Sequence, residues 1–277
     1  MTNPHAQQPT SLQSLFKSLW LNRYLILQLT KHDILGRYKG SIMGVVWSLI
    51  HPLVLLTIYT LVFSVVFKAR WSADVHETKA QFAIVLFAAM IIHALFTETL
   101  TKAPTLILSN VNYVKKIVFP LEVLPVVTLG AALFHAVISC LVLIVFFLVT
   151  NAYLHCTIIF MPIVLLPFIA LTLGFAWLLA SLGVFVRDVS QPIGMLMTIL
   201  LFASPIFYPL SALPSSVQPW LMLNPLTFII EQSRAVIIFG GYPDWSGLLI
   251  YSVIAFFILW LGYIWFQKTR KGFANVL

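Results

Sequence analysis

From Val123 to Val186 the chain carries no Asp, Glu, Lys or Arg. That run is too long for one helix and too apolar for a loop in water. At ~20 apolar residues per crossing it holds two membrane spans. Asn151, His155 and the small residues around them supply the turn, giving spans near 123–149 and 158–185. Charges delimit the rest, because one at the bilayer centre costs at least ~2.5–3.5 kcal/mol. The same rule predicts spans near 45–67, 81–101, 192–209 and 246–266. Composition agrees, with 61% hydrophobic and 9% charged residues, whereas a soluble domain carries roughly 25% charged residues. This excludes an ordinary cytosolic enzyme and, despite a formal net charge of +8, a nucleic-acid-binding domain. The expected fold class is an all-α polytopic membrane protein with six transmembrane helices.

Six spans put both termini on one side. With the first, third and fifth loops outside, the inner face holds Lys17, Arg23, Lys31, Arg37, Lys39, Lys102, Lys115, Lys116, Arg187, Lys268, Arg270 and Lys271. The outer face holds only Lys68, Arg70, Lys79 and Arg234. That bias satisfies the positive-inside rule and makes both termini cytoplasmic. The polar N-terminus has no basic or apolar region of a signal peptide, so the first apolar segment is expected to remain as a span. The organisation expected is a cytoplasmic arm over 1–44, a transmembrane domain over 45–267 and a cytoplasmic tail over 268–277.

Three segments read as non-spanning. Residues 12–31 place Leu12, Leu15, Phe16, Leu19 and Ile26 on one helical face, with Arg23 interrupting the stripe. This predicts an amphipathic interface helix on the inner leaflet. The inner loop from Ala103 to Pro125 is too long and apolar for a simple connector, and Pro104 suits the first turn of a short helix. The outer segment from about 210 to 245 carries Pro214, Pro219, Pro225 and Gly240-Gly241 around an apolar run. An outer loop this apolar is expected to re-enter the membrane interface between helices 5 and 6.

Catalytic chemistry has few candidates among eight carboxylates. Glu98 stands one turn before Lys102, so an i,i+4 pair accounts for it. His51, His93 and His135 fall inside spans, which makes them functional candidates. They lie on different spans with no carboxylate near in sequence, so hydrogen-bonded packing is the expected role. Cys140 and Cys156 form no metal or redox motif. The chain has no G-x-x-x-x-G-K-[ST] loop, so it is not expected to hydrolyse ATP by a Walker-type mechanism, and any vectorial work would draw on a partner or an ion gradient. Gly36, Gly40 and Gly44 suit either close helix contact or a bend into the first span. Trp47, His51, Tyr59 and Phe63 recur along span one, and Phe202, Phe207 and Tyr208 lie on span five. Aromatic faces stack on sugars and let them slide, although packing and an interfacial belt explain the same residues.

The run Arg37-Tyr38-Lys39-Gly40-Ser41-x-x-Gly44-x-x-Trp47, continuing to His51-Pro52-Leu53, resembles the start of the ABC-2 type polysaccharide-export permeases. These are the Wzm-like subunits of O-antigen exporters, with teichoic-acid and capsule permeases as relatives. Three later stretches are similar to the same family in the expected order. They are Asn110-x-Asn112-Tyr113-Val114-Lys115-Lys116 with Phe119-Pro120-Leu121-Glu122, then Phe185-x-Arg187-Asp188, then Ser204-Pro205-Ile206-Phe207-Tyr208-Pro209 with Asn224-Pro225.

The resemblance implies a half-transporter of the bacterial inner membrane that pairs with a second copy of itself. Two Wzt-like ATP-binding subunits would hold the ATP and Mg, with no cofactor on this chain. The substrate implied is an undecaprenyl-diphosphate-linked polysaccharide. Leu106, Ser109, Asn110, Asn112 and Tyr113, with Arg187 and Asp188, would couple to the ATPase. Arg37 and Lys39 stand at the inner mouth of span one, where an anionic lipid head would arrive, although positive-inside anchoring explains them equally. Trp47, His51, Tyr59, Phe63, Phe202, Phe207 and Tyr208 would line the path. Rival expectations are a capsule or teichoic-acid exporter, a small-molecule ABC-2 efflux permease and an intramembrane lipid-glycan transferase.

Overall fold

A computed structural model describes residues 10–62, 71, 79–115 and 119–277. Every regular element among them is helical. In order they are α1 (Leu12–Leu21), α2 (Arg23–Arg37), α3 (Trp47–Tyr59), α4 (Lys79–Lys102), α5 (Val111–Lys115) and α6 (Val123–Asn151). They continue as α7 (Met161–Phe185), α8 (Ser190–Ala203), α9 (Gln218–Met222), α10 (Pro225–Ile237) and α11 (Trp245–Val276).

Five stretches are long and apolar enough to cross a membrane: Gly44–Val62, Ala80–Thr105, Val123–Asn151, Cys156–Phe185 and Trp245–Ala274. The expected span at 192–209 differs. It is α8, 14 residues long, or about 21 Å at 1.5 Å per residue. That is short of the ~30 Å hydrocarbon core. The helix stops because Ser204 precedes Pro205, and the proline ring drives its predecessor out of the helical region. Ser204 accordingly sits at φ −99°, ψ 154°.

Side-chain contacts define two ends of the bundle. At one end the buried Glu122 carboxylate accepts from Ser18 Oγ of α1 at 2.9 Å and from Arg270 Nη1 of α11 at 2.8 Å. Arg270 Nη2 donates to the Phe119 carbonyl at 2.7 Å, and Trp177 Nε1 donates to the Glu122 carbonyl at 3.0 Å. The start of α6, the end of α11 and the amphipathic α1 therefore meet. At the other end, Thr157 Oγ1 donates to the Val236 carbonyl at 2.7 Å, and the Phe160 ring lies 5.5 Å from Trp245. The chain from Ser190 to Trp245 thus passes from one end to the other.

Glu122 and Arg270 are 8% and 11% exposed. Removing one partner of a buried pair leaves an uncompensated charge and costs ~3–5 kcal/mol. Glu122→Ala should therefore sharply lower the melting temperature in detergent. Glu122→Ala combined with Arg270→Ala should be less damaging than the sum of the two single losses.

The N-terminal arm differs from the single helix expected over 12–31. It is two helices broken at Asn22, whose Nδ2 bonds back to the Ser18 carbonyl at 2.8 Å. The second runs on to Arg37. Of the expected apolar stripe, Leu15 is fully buried and Leu19 and Ile26 are half-buried, whereas Phe16 is exposed beside Trp20. Arg23 does not spoil the apolar face, because its guanidinium lies 4.8 Å over the Trp20 ring and 4.6 Å over Tyr24.

The glycines also sort themselves. A Cβ at Gly36, Gly40 or Gly44 would meet nothing within 4 Å, and Gly40 and Gly44 have φ of +86° and +54°. They serve the bend from α2 into α3. Close contact belongs to Gly174 and Gly262 instead, where the backbones of α7 and α11 touch. Gly183 lets the Pro104 segment cross the end of α7.

Candidate functional site

The bend at Gly40 and Gly44 turns the end of α2 toward α4 and α6. Arg37 Nη1 then donates to Glu98 Oε1 at 2.7 Å, although the two residues are 61 positions apart. Lys102 Nζ reaches the same oxygen at 3.2 Å, the i,i+4 pair that the spacing predicted. His135 adds a partner invisible in the sequence, with Nδ1 3.1 Å from Glu98 Oε2. Its Nε2 lies 3.2 Å from the Tyr38 hydroxyl. With Nδ1 protonated, His135 donates to Glu98 while Nε2 accepts from Tyr38. Burial raises the Tyr38 phenol above its ordinary pKa, against the pull of Arg37, so it keeps that donor proton at neutral pH.

These groups line a cavity of about 620 Å³ among α2, α3, α4 and α6. Trp47, Ser48, His51 and Pro52 of α3 form one wall, and Ala132, His135, Ala136 and Ser139 of α6 another. Pro52 has no N–H to give the Ser48 carbonyl, so α3 lacks that helical hydrogen bond along this wall. The lining carries Arg37 and Lys102 against the single carboxylate of Glu98. Such a chamber can take an anionic group in place of the carboxylate, with aromatic and apolar walls beside it.

The structure brings together only some of the expected residues. Arg37, Trp47 and His51 share the cavity. Lys39 is exposed and lies outside the lining. Tyr59 is half-buried in α3, and Phe63 falls outside the described residues. Phe202, in the last turn of α8, stacks on Phe207 just beyond it at 5.7 Å, with the Tyr208 hydroxyl donating to the Phe202 carbonyl at 3.1 Å. They form a cluster of their own and do not line the cavity.

The expected coupling residues also separate. Ser109 is exposed with its hydroxyl on the Thr105 carbonyl at 2.8 Å, and Asn110 Nδ2 bonds the Leu106 carbonyl at 2.8 Å. Leu106 is half-buried, Asn112 is exposed, and Tyr113 stacks on Phe119 at 4.4 Å. Arg187 and Asp188 are exposed on a 3₁₀ turn that follows α7.

Two features escaped the sequence reading. Hydrogen-bonded packing is the role expected of His135, but its carboxylate partner Glu98 is not legible in the sequence, where the signal is only its intramembrane position. Arg234 counted as one outer charge, yet it is 0% exposed. Its guanidinium donates to the carbonyls of Val85 at 3.1 Å, Pro205 at 2.6 Å and Ile206 at 3.1 Å, and to Glu231 at 3.0 Å. It also lies 4.2 Å over the Trp71 ring. Arg234 therefore ties α10 to α4 and to the break after α8.

The sequence profile of ABC-2 type transporters matches residues 24–238, which include the cavity and the Arg234 tie. The chain belongs to the ABC-2 type transporter family. It is similar over nearly its whole length to curated members. The O-antigen export system permease protein RfbA of Myxococcus xanthus is 25% identical over 263 residues, covering 94% of this chain and 98% of the relative. Two RfbA permease proteins of Klebsiella pneumoniae are 23% and 22% identical, each over 91% of this chain and 95% of the relative. The family and the apolar helices make the chain a multi-pass membrane protein.

Proposed function

We propose that this chain is the transmembrane permease subunit of an ABC transporter that exports an O-antigen-type polysaccharide, carried on undecaprenyl diphosphate, across the bacterial inner membrane. The observation that carries the reading is the end-to-end similarity to three O-antigen export permeases. The cationic cavity with aromatic and apolar walls suits an anionic lipid head followed by sugars. The chain itself is not catalytic. Two copies form the conduit, and two separate ATP-binding subunits supply ATP and Mg. The coupling surface is the exposed part of Leu106–Tyr113 with Arg187 and Asp188.

The chain crosses the membrane six times with both termini cytoplasmic. Supporting this, α1 and the end of α11 share the Glu122 cluster, while Ser190–Trp245 runs from that end to the opposite one. In this reading α8 begins the fifth crossing, and the chain after Pro205 completes it before α9 and α10 re-enter the outer interface. The 32 residues of α11 extend about 48 Å, carrying Lys268, Arg270 and Lys271 into the inner headgroup layer.

A deletion strain tests the function. Diphosphate-linked polysaccharide should accumulate inside the cell and disappear from its surface, whereas a normal surface would discard the glycan reading. The two basic residues once grouped at the inner mouth should now part. Arg37→Gln should lower export roughly tenfold, the effect of losing one charge-assisted hydrogen bond of ~1.5 kcal/mol. Lys39→Gln should leave export near wild type, with surface glycan quantified against equal amounts of membrane-inserted protein.

A further inference from the structure

The segments expected to meet the ATPase are short. α5 has five residues and the Arg187–Val189 turn three, whereas an isolated helix in water needs ~12–15 residues to persist. A push delivered to such pieces moves the membrane helices only if something longer holds them. The end of α11 does so. Tyr263, Phe266, Arg270 and Phe273 recur at helical spacing and share one face of that helix. The three rings are buried, and Arg270 is 11% exposed.

The surrounding segments converge on that face. The Arg270 fork grips the end of the inner loop, with Nη1 on the Glu122 carboxylate at 2.8 Å and Nη2 on the Phe119 carbonyl at 2.7 Å. The Phe119 ring in turn stacks on Tyr113 of α5 at 4.4 Å. Glu122 also accepts from Ser18, which adds α1. One turn on, the Phe273 ring lies 5.9 Å from Phe185, the last residue of α7 and the neighbour of the Arg187 turn. Ser181 and Thr269 hydrogen-bond at 2.6 Å on the same seam, and the Pro104 backbone crosses α7 at Gly183. Distant stretches of sequence thus share one support.

We propose that the end of α11, from Tyr263 to Phe273, carries the ATPase's movement into the membrane, with Arg270 and Phe273 as the positioning residues that hold both coupling segments to it. Arg270 serves the Leu106–Tyr113 side and Phe273 the Arg187–Asp188 side. Force entering either segment passes to one helix that runs on across the bilayer and packs backbone against backbone on α7. Contiguous packed side chains transmit such a displacement because protein interiors are dense and barely compressible. The inference rests on the coupling surface proposed above and adds the route by which that surface acts.

The test separates ATP hydrolysis from export. Hydrolysis is measured on the full chain with its ATP-binding subunits in nanodiscs, and export as surface polysaccharide on whole cells. Arg270→Lys keeps a cation beside Glu122, but an ammonium cannot also fix the Phe119 carbonyl as the planar fork does. Per assembled complex, it should hydrolyse ATP near the wild-type rate while export falls about tenfold, the effect of one lost charge-assisted hydrogen bond. Phe273→Leu, too short to reach Phe185, should split the two readouts in the same direction. Lys271→Gln, exposed beside Arg270, should change neither. A disulfide between Ser181→Cys and Thr269→Cys, made in a chain with Cys140→Ala and Cys156→Ala, should leave hydrolysis unchanged on oxidation, because that seam stays closed through the cycle.

Parallel loss of hydrolysis and export, or failure of Arg270→Lys to assemble with the ATP-binding subunits, would make Arg270 a folding or docking residue and overturn the proposal. Unchanged export in both Arg270→Lys and Phe273→Leu would mean that the movement enters the membrane elsewhere. Oxidation that stops hydrolysis, with recovery on reduction, would show a seam that opens in every cycle and would equally overturn it. The export reading fails on separate grounds, namely a wild-type chain that recovers no ATP-binding subunit or a deletion strain with a normal surface polysaccharide.

Discussion

Gly262→Leu should leave no folded protein to extract from the membrane. A Cβ at Gly262 would collide with the Gly174 carbonyl, and a Cβ at Gly174 would stand 2.7 Å from the Ile258 carbonyl oxygen. The obstacle in each case is backbone, which cannot rotate aside as a side chain can. Small residues matter so much here because lipid tails are as apolar as leucine, so helix association in a bilayer depends on close van der Waals contact. The α7–α11 seam is also where Trp177 packs on Tyr263 at 5.4 Å, so separating the helices disturbs more than the two glycines. Even Gly262→Ala should lower the melting temperature in detergent by several degrees, since overpacking costs ~1–3 kcal/mol. Gly194→Ala is the control, because a Cβ there meets nothing within 4 Å. The extractable yield of Gly262→Leu, with thermal unfolding of the two alanine variants followed by size exclusion in detergent, distinguishes contact geometry from a general intolerance of glycine replacement.

The second large effect is expected at Arg234. Arg234→Met removes a guanidinium that satisfies the Pro205 and Ile206 carbonyls, both belonging to buried residues. Each buried polar group left without a partner costs ~1–3 kcal/mol. Glu231 loses its partner as well. Arg234→Lys should rescue poorly, because an ammonium on a flexible stem cannot place donors on three separated carbonyls as the planar fork does. Glu231→Gln should cost little by comparison, since its carboxylate is 31% exposed and keeps access to water. The measurement is surface polysaccharide at matched membrane levels of protein, together with thermal stability. If Arg234→Met retained both, the arginine would be a bystander rather than the tie holding α10 to the break after α8.

Family membership and the five long helices were legible in the sequence because lipid enforces its rules one residue at a time. A charge or an unpaired backbone group is costly at depth wherever its neighbours lie. The uncharged run from Val123 to Val186 therefore announced α6 and α7 with the turn between them, and the basic residues announced a side. The Glu98–Lys102 pair was legible for a related reason, since four residues along a helix is a contact that spacing alone guarantees. The break at Ser204-Pro205 is also present in the sequence, but hydropathy carries the expected span on to 209, past the proline that ends α8 at Ala203.

Tertiary structure alone decided which helix faces meet. His135 and Glu98 lie 37 positions apart, and no local pattern says that one helix is rotated so that its histidine finds the other's carboxylate. In water an apolar stripe would reveal the inward face of each helix. In lipid both faces are apolar, as along α7, so rotation about the helix axis leaves little trace in hydropathy. The same loss of signal hid Arg234, whose burial depends on three carbonyls presented by two other segments. Depth in the membrane is a property of sequence, whereas the partner across a helix interface is a property of packing.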